Sequence, residues 1–322
     1  MKPKMGIKIV KAGMLTTVQD LGRIGFQKSG MVVGGAMDNL ALRLGNIILG
    51  NSENEAGLEC TTIGPTIIFT ESQLIAITGG DLSPSLDGVP VPMWKPIYIT
   101  AGSIISFGHP KTGCRTYICF YGGLAIPVVL NSRSTYIRGK IGGFNGRVLE
   151  KDDYIEFRDL YKNYRKNFNW SLDNSIYPFL SSRTIRITDG PYLNQLDCDS
   201  LNTFLSKKFT ISNQSDRMGY RLGSEILNLK NKVELLSSAV NLGTIQLPPQ
   251  GNPIILMADR PTTGGYPIIG QVALVDIPLI AQLRPQDQVI FKLISLNDAQ
   301  LLLKKRNKQI RRLKEAIALK YE

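Results

Sequence analysis

KDDYIEF (151–157) puts a tight polar turn in front of a short strand that ends in phenylalanine. The same device occurs twice more, in AGSIISF (101–107) and PQDQVIF (285–291). Turn residues followed by alternating apolar positions fit strand pairs of the kind that close barrels. Two copies fall in the N-terminal half and the third near the end of the second half, so the simplest reading is two β-rich units. Around the first two copies run further short apolar segments, GIKIV (6–10), TIIF (66–69), LIAIT (74–78) and TYICF (116–120). Their β-branched content and length read as strands at regular spacing.

Three stretches depart from this pattern. Met37 to Leu49 carries Leu40, Leu44, Ile47 and Ile48 near a 3.6-residue repeat and ends at Gly50, which predicts a helix with a glycine cap. Tyr192 to Leu205 reads as a second helix. From Asn297 onward Ala299, Leu303, Ile310, Leu313 and Ile317 recur at helical spacing opposite a basic face. Between the units, residues 161–182 begin with the polar, basic run YKNYRKN (161–167) and read as a connection. The expected layout is therefore an N-terminal β unit at 1–160, a linker at 161–182, a second β unit at 183–295 and a basic amphipathic helix at 296–322.

With 322 residues, 43% hydrophobic and 20% charged, the chain has the composition of a globular protein. No apolar run approaches the roughly 18 residues of a membrane span, and a cytoplasmic location is the default expectation. Cys60, Cys114, Cys119 and Cys198 are scattered without a C-x-x-C pair, and His109 is the single histidine. Zinc sites of the usual Cys/His kind are thereby excluded, and reduced cysteines are expected. The net charge of +12 is concentrated at one end: residues 304–322 hold eight basic residues against Glu315 and Glu322. Half the excess thus sits on one helix face, which argues against a nucleic-acid-binding body.

Phosphate loops, the nucleophile elbow and the H-E-x-x-H metal motif are absent. The chain offers instead glycine-rich polar loops. The most developed is DRPTTGGYP (259–267), between the apolar runs PIILMA (253–258) and IIGQVALV (268–275). Gly264 and Gly265 permit close backbone approach, and Thr262 and Thr263 add two hydroxyls beside Tyr266. A binding loop and an ordinary β-turn both fit this composition. Further loops are TVQDLGR (17–23), Thr78-Gly79-Gly80-Asp81, NSRSTY (131–136), SDRMGYR (215–221) and GTIQLPPQG (243–251), which contains Gln246. Arg133 and Arg217 have the planar fork that suits carboxylate or phosphate oxygens, and a structural pairing with a nearby aspartate fits each equally well.

Taken together, TTVQDLGR (16–23), VGGAMDNLALRLGN (33–46), TGGD (78–81), YGGLAIPVVLNSRSTYIRG (121–139), SDRMGYRL (215–222), GTIQLPPQGNPIILMAD (243–259) and TTGGYP (262–267) resemble the biotin-dependent carboxyltransferase-like family. That family includes allophanate hydrolase subunit 2, the KipA proteins and the C component of 5-oxoprolinase, and the motifs occur in its order over nearly the whole chain. The resemblance implies a mainly β fold of two cyclophilin-like β-barrel domains with short helices, followed here by the C-terminal amphipathic helix. It also implies ATP-dependent opening of 5-oxo-L-proline to L-glutamate with release of ADP and phosphate. ATP, accompanied by Mg2+, would be a substrate. The chain would work with two further 5-oxoprolinase components, a KipI-like B component and an A component. Alternatives within the resemblance are biotin-dependent carboxyl transfer and a KipA-like regulator that binds a KipI-type kinase inhibitor.

On this resemblance Arg133 and Arg217 are expected to clamp anions, and Asp81 and Asp259 to orient substrate or contact a metal. Gly79, Gly80, Ser134, Thr135, Gln246, Thr262, Thr263, Gly264, Gly265 and Tyr266 are expected to line the pocket. Pro261 stands where relatives commonly carry Gln, and Ile268 where Lys or Arg is usual.

Overall fold

The three turn–strand copies share one backbone device. In the computed structural model, which describes residues 5–162, 167–231 and 233–321, the second residue of each copy is left-handed: Gly102 (φ 88°), Asp152 (φ 69°) and Gln286 (φ 73°). Its N–H donates to a neighbouring strand, to Phe69 O (2.7 Å), Ile9 O (2.8 Å) and Ile211 O (2.9 Å) respectively. In the second and third copies an aspartate closes the turn. Asp153 accepts from the Glu150 N–H at 2.7 Å and Asp287 from the Arg284 N–H at 2.9 Å. The closing phenylalanines enter the cores: Phe157 lies against Phe69 and Phe120, and Phe291 against Phe204 and Phe209.

Asp153 also takes both terminal nitrogens of Arg147, each at 2.7 Å. Burial alone would raise its pKa. The hydrogen bonds from Arg147 and the Glu150 N–H, with the charge of Arg147, outweigh that and hold it below the ordinary 3.8. A carboxylate with a depressed folded pKa contributes stability that is present above its unfolded value and lost as pH falls through the folded one. Acid unfolding of the wild type, followed by tryptophan fluorescence, is therefore expected to steepen below about pH 4. Asp153→Asn should flatten that limb, and equal slopes in the two proteins would remove the assigned role.

The chain divides into two compact units, one of residues 1–23, 34–177 and 309–322 and one of residues 24–33 and 178–308. In the first, a six-stranded sheet runs in the order Tyr154–Glu156, Gly6–Lys11, Thr66–Phe69, Ile104–Phe107, Pro84–Leu86 and Val89–Pro90. A five-stranded sheet runs Leu15–Gln19, Gly57–Thr61, Thr112–Phe120, Gln73–Asp81 and Pro96–Ile99. Strand alternation assigns each side chain of this sheet to one of two cores. Ile75, Ile77, Ile118 and Phe120 join the core with Ile7, Phe69 and Phe157. Leu74, Ala76, Tyr117 and Cys119 face helix α1 (Asn39–Ile48).

Helix α1 begins at Asp38, whose side chain accepts the Ala41 N–H at 3.0 Å, and stops at left-handed Gly50 (φ 71°). The second core also takes Tyr161, Phe168 and Leu172 from the stretch expected to connect the units. Residues 163–166 of its basic run lie outside the described residues.

In the second unit seven strands close a barrel: Thr184–Asp189, Ile268–Val272, Thr244–Gln246, Ile254–Leu256, Gly219–Gly223, Phe209–Ile211 and Gln288–Leu293. Closure comes from parallel pairing of the first and last of these, with Ile185 opposite Phe291. The second helix starts later than expected. Leu196 is extended (ψ 142°), and Asp197 caps α2 (Cys198–Ser206) by accepting the Ser200 N–H at 2.7 Å. Its Phe204 packs on Phe291 with ring centroids 5.0 Å apart. A short helix α3 (Ile277–Ala281) follows.

The terminal helix α4 (Leu296–Tyr321) buries Ile310 and Ile317 on its apolar stripe. Within the first unit Lys314 reaches Glu53 and the Tyr321 hydroxyl donates to Ile48 O at 2.7 Å. All four cysteines are free, and among the described residues no helix is long and apolar enough to cross a membrane.

Candidate functional site

The loop at 259–267 leaves the barrel strand Ile254–Leu256 and is tied down by backbone pairing. Asp259 N–H donates to Arg217 O at 2.9 Å and Met257 N–H to Met218 O at 2.9 Å, which brings the 215–221 loop beside it. Here Arg217 and Asp259 meet as a buried, two-pronged ion pair, Nε to Oδ2 at 2.9 Å and Nη2 to Oδ1 at 3.0 Å. Each side chain is only 7% exposed. Arg217 is thus held by the aspartate, the geometry a guanidinium fork favours.

Beyond Asp259, Thr263–Gly264 pairs with Ser238–Ala239 as a small second ribbon, and Thr262 O accepts from the Val240 N–H at 3.2 Å. Buried Gln246 lies under the glycines and reaches Tyr266 O at 3.4 Å. A Cβ on Gly264 would collide with the amide of Gln246, so a larger residue there would have to displace that side chain. Gly265 faces Leu235 O and the Ser237 hydroxyl at a looser 3.5 Å from an added Cβ. Tyr266 is 45% exposed and stands on the edge of a cavity of about 490 Å³ with Arg221, Gln250 and Asn252.

In the first unit the candidates fall into two neighbourhoods. Arg133, Ser134 and Thr135 surround buried Asp20 and Arg23. Asp20 accepts from the Ser132 hydroxyl (2.7 Å), the Gly22 N–H (2.8 Å) and the Arg133 N–H (2.6 Å). Arg23, fully buried, donates to the Ser134 hydroxyl at 2.8 Å and to Ser134 O. The Thr135 hydroxyl donates to Val18 O at 3.0 Å. The Arg133 side chain turns outward, a quarter exposed, with Nε on Ile126 O at 3.1 Å and Nη1 3.9 Å from Glu55.

Gly79, Gly80 and Asp81 end the strand Gln73–Asp81. Gly79 is left-handed (φ 90°), Gly80 O accepts from the Thr116 hydroxyl, and Asp81 accepts the Ser83 N–H at 2.7 Å with Lys111 at 3.9 Å. Among the described residues no three His, Cys, Asp or Glu side chains converge as metal ligands.

One residue escaped the sequence reading. Arg260 follows Asp259 directly, is 8% exposed and lines a second cavity of about 410 Å³. Its Nη1 makes a long contact to Met257 O at 3.4 Å, and its Nε has no partner among the described residues. Burial pulls its pKa below the ordinary arginine value. The adjacent acid–base pair in the sequence was the available signal, but it reads as self-neutralising until Asp259 is seen to bond Arg217.

Comparison with known proteins adds the family. Residues 29–293 match the model of the carboxyltransferase domain, subdomain A and B. The chain is 36% identical over 310 residues to the C component of 5-oxoprolinase from Haemophilus influenzae, covering 95% of this chain and 98% of that protein. It is 31% identical over 315 residues to urea amidolyase of Saccharomyces cerevisiae, of which it spans 17%. Among solved structures, urea amidolyase of K. lactis superimposes with a TM-score of 0.90 at 27% identity, over 97% of this chain and 20% of that one. With its family model covering most of both units, the chain belongs to the carboxyltransferase domain family of subdomains A and B.

Proposed function

We propose that this chain is the C component of an ATP-dependent 5-oxoprolinase, working in a complex with components of the A and B kinds. The observation that carries the reading is the match from end to end with a protein named as the C component of 5-oxoprolinase, at 36% identity over 98% of that protein. The chemistry is coherent. The lactam of 5-oxoproline is a stable amide, and phosphorylation of its carbonyl oxygen by ATP makes the ring carbon an electrophile for water. Ring C–N cleavage then yields glutamate, with ADP and phosphate released. Positioning and charge stabilisation dominate such a transfer, a task for arginine forks and the N–H groups of glycine loops. Mg2+ enters as the counter-ion of the nucleotide substrate.

The test is ATP- and 5-oxoproline-dependent glutamate release by the purified chain, alone and mixed with the A and B components of 5-oxoprolinase. Glutamate is expected only from the full mixture. If the same A and B components release glutamate with another C component but not with this chain, the reading falls. A second reading, carboxyl transfer from a biotin carrier to a urea-like acceptor, draws on the TM-score of 0.90 with urea amidolyase. Urea-dependent conversion of carboxybiotin to biotin by the chain, with the carboxyl group recovered as N-carboxyurea, would replace the first reading with this one.

A further inference from the structure

The cavity that holds Arg260 has an unbalanced charge. Three other arginines of this unit each meet a carboxylate: Arg217 meets Asp259 at 2.9 Å, Arg186 meets Asp276 at 2.9 Å, and Arg183 meets Asp287 at 3.2 Å. Arg260 is more than nine-tenths buried, yet among the described residues no acidic side chain lines its cavity. A buried charge without a partner is costly, and a site that retains one is built to receive the missing counter-charge.

The rest of the lining narrows the ligand. Thr188 and Asn241 add hydrogen-bonding groups to the lining. Gln271 is already engaged, with Nε2 donating to Leu242 O at 2.7 Å and Oε1 accepting from Thr244 at 2.9 Å. The remaining lining is largely apolar and includes Leu274, 52% exposed, and Leu296, 61% exposed, on the first turn of α4. One cation in a largely apolar lining suits a monoanion with a hydrocarbon body. A phosphate group is usually met by more cations than the single arginine in this lining. The volume of about 410 Å³ lies in the range of small-molecule sites.

We infer that this cavity is a binding site for a small monocarboxylate, with the carboxylate on Arg260 and the apolar body against the wall formed by Leu274 and α4. The inference does not depend on the 5-oxoprolinase reading, since it rests on the geometry of this unit.

The test uses the full chain and cyclopentanecarboxylate as probe, read by titration calorimetry and ligand-observed NMR, with cyclopentanecarboxamide and inorganic phosphate as comparisons. Saturable binding of the carboxylate is expected, at least tenfold tighter than the amide and tighter than phosphate. Arg260→Gln should weaken it tenfold or more, a size in keeping with the loss of one charge-assisted contact. Ala299→Phe, which puts a ring into the cavity from α4 while leaving the arginine in the chain, should block binding too. Arg221→Gln, on the other cavity, should leave the affinity unchanged. Should Arg260→Gln fail to fold, Ala299→Phe and the amide comparison decide alone. No binding, equal binding of the amide, tighter binding of phosphate, or binding indifferent to Ala299→Phe would each overturn the inference.

Discussion

Arg217→Ala is expected to lower the stability of the barrel unit by about 3–5 kcal/mol, the cost typical of breaking a buried ion pair and stranding its partner. The geometry places this pair at the upper end of such effects. Both side chains are 7% exposed, both bonds are about 3 Å long, and the alanine would leave a mostly buried carboxylate without its cation. An exposed pair such as Lys8–Asp152, with side chains 47% and 62% exposed, is screened by solvent and would cost far less. Hydrogen exchange of peptides from Gly219–Gly223 and Ile254–Leu256 gives the local free energy, and protection there should fall by roughly two to four orders of magnitude. The double variant Arg217→Met with Asp259→Leu should recover most of the loss, because it removes both charges. A loss no larger than that of an exposed pair would show that water reaches the carboxylate. The same comparison separates a structural role for Arg217 from the anion-clamping role expected for it in the sequence.

Gly142→Ala is expected to destabilise the first unit by about 3 kcal/mol or more. Gly142 is left-handed (φ 66°), which costs an L-residue roughly 1–2 kcal/mol. A Cβ there would also drive into Ser134 O and the buried guanidinium of Arg23. Overpacking of that kind costs about 1–3 kcal/mol, while the entropy withdrawn from the unfolded chain returns less than about 1 kcal/mol. Gly102→Ala supplies the control, since Gly102 is equally left-handed (φ 88°) and its Cβ would meet nothing within 4 Å. Both tryptophans, Trp94 and Trp170, belong to the first unit, so urea unfolding followed by their fluorescence reads that unit. If Gly142→Ala proves as mild as Gly102→Ala, the neighbourhood of Ser134 and Arg23 is looser than its hydrogen bonds indicate.

Much of the fold was legible along the chain because its determinants are local. Strand alternation, the three turn–strand copies and the glycine cap at Gly50 depend on residues within a few positions of one another, and so does the apolar stripe of α4. The start of α2 was misjudged because Leu193 and Leu196 continue the apolar phase, while the Asp197 cap that interrupts it is one polar residue among several. The candidate site was less legible. Asp259 and Arg260 are neighbours in sequence and look like a balanced pair. The pairing of Met257 and Asp259 with residues 217–218 brings in a second arginine from 42 positions away, and that arginine takes the carboxylate. Ser134 and Thr135 likewise read as loop hydroxyls, and only the approach of residues 18–23 turns them into buried partners of Arg23 and Val18.

The mainly β character, the basic terminal helix and the motif order of the family can be read from local sequence. Which charges are neutralised and which is left over follows from contacts made in the folded chain. Secondary structure follows from neighbours a few residues apart, whereas the cost of a buried charge depends on whichever distant group the folded chain brings to it.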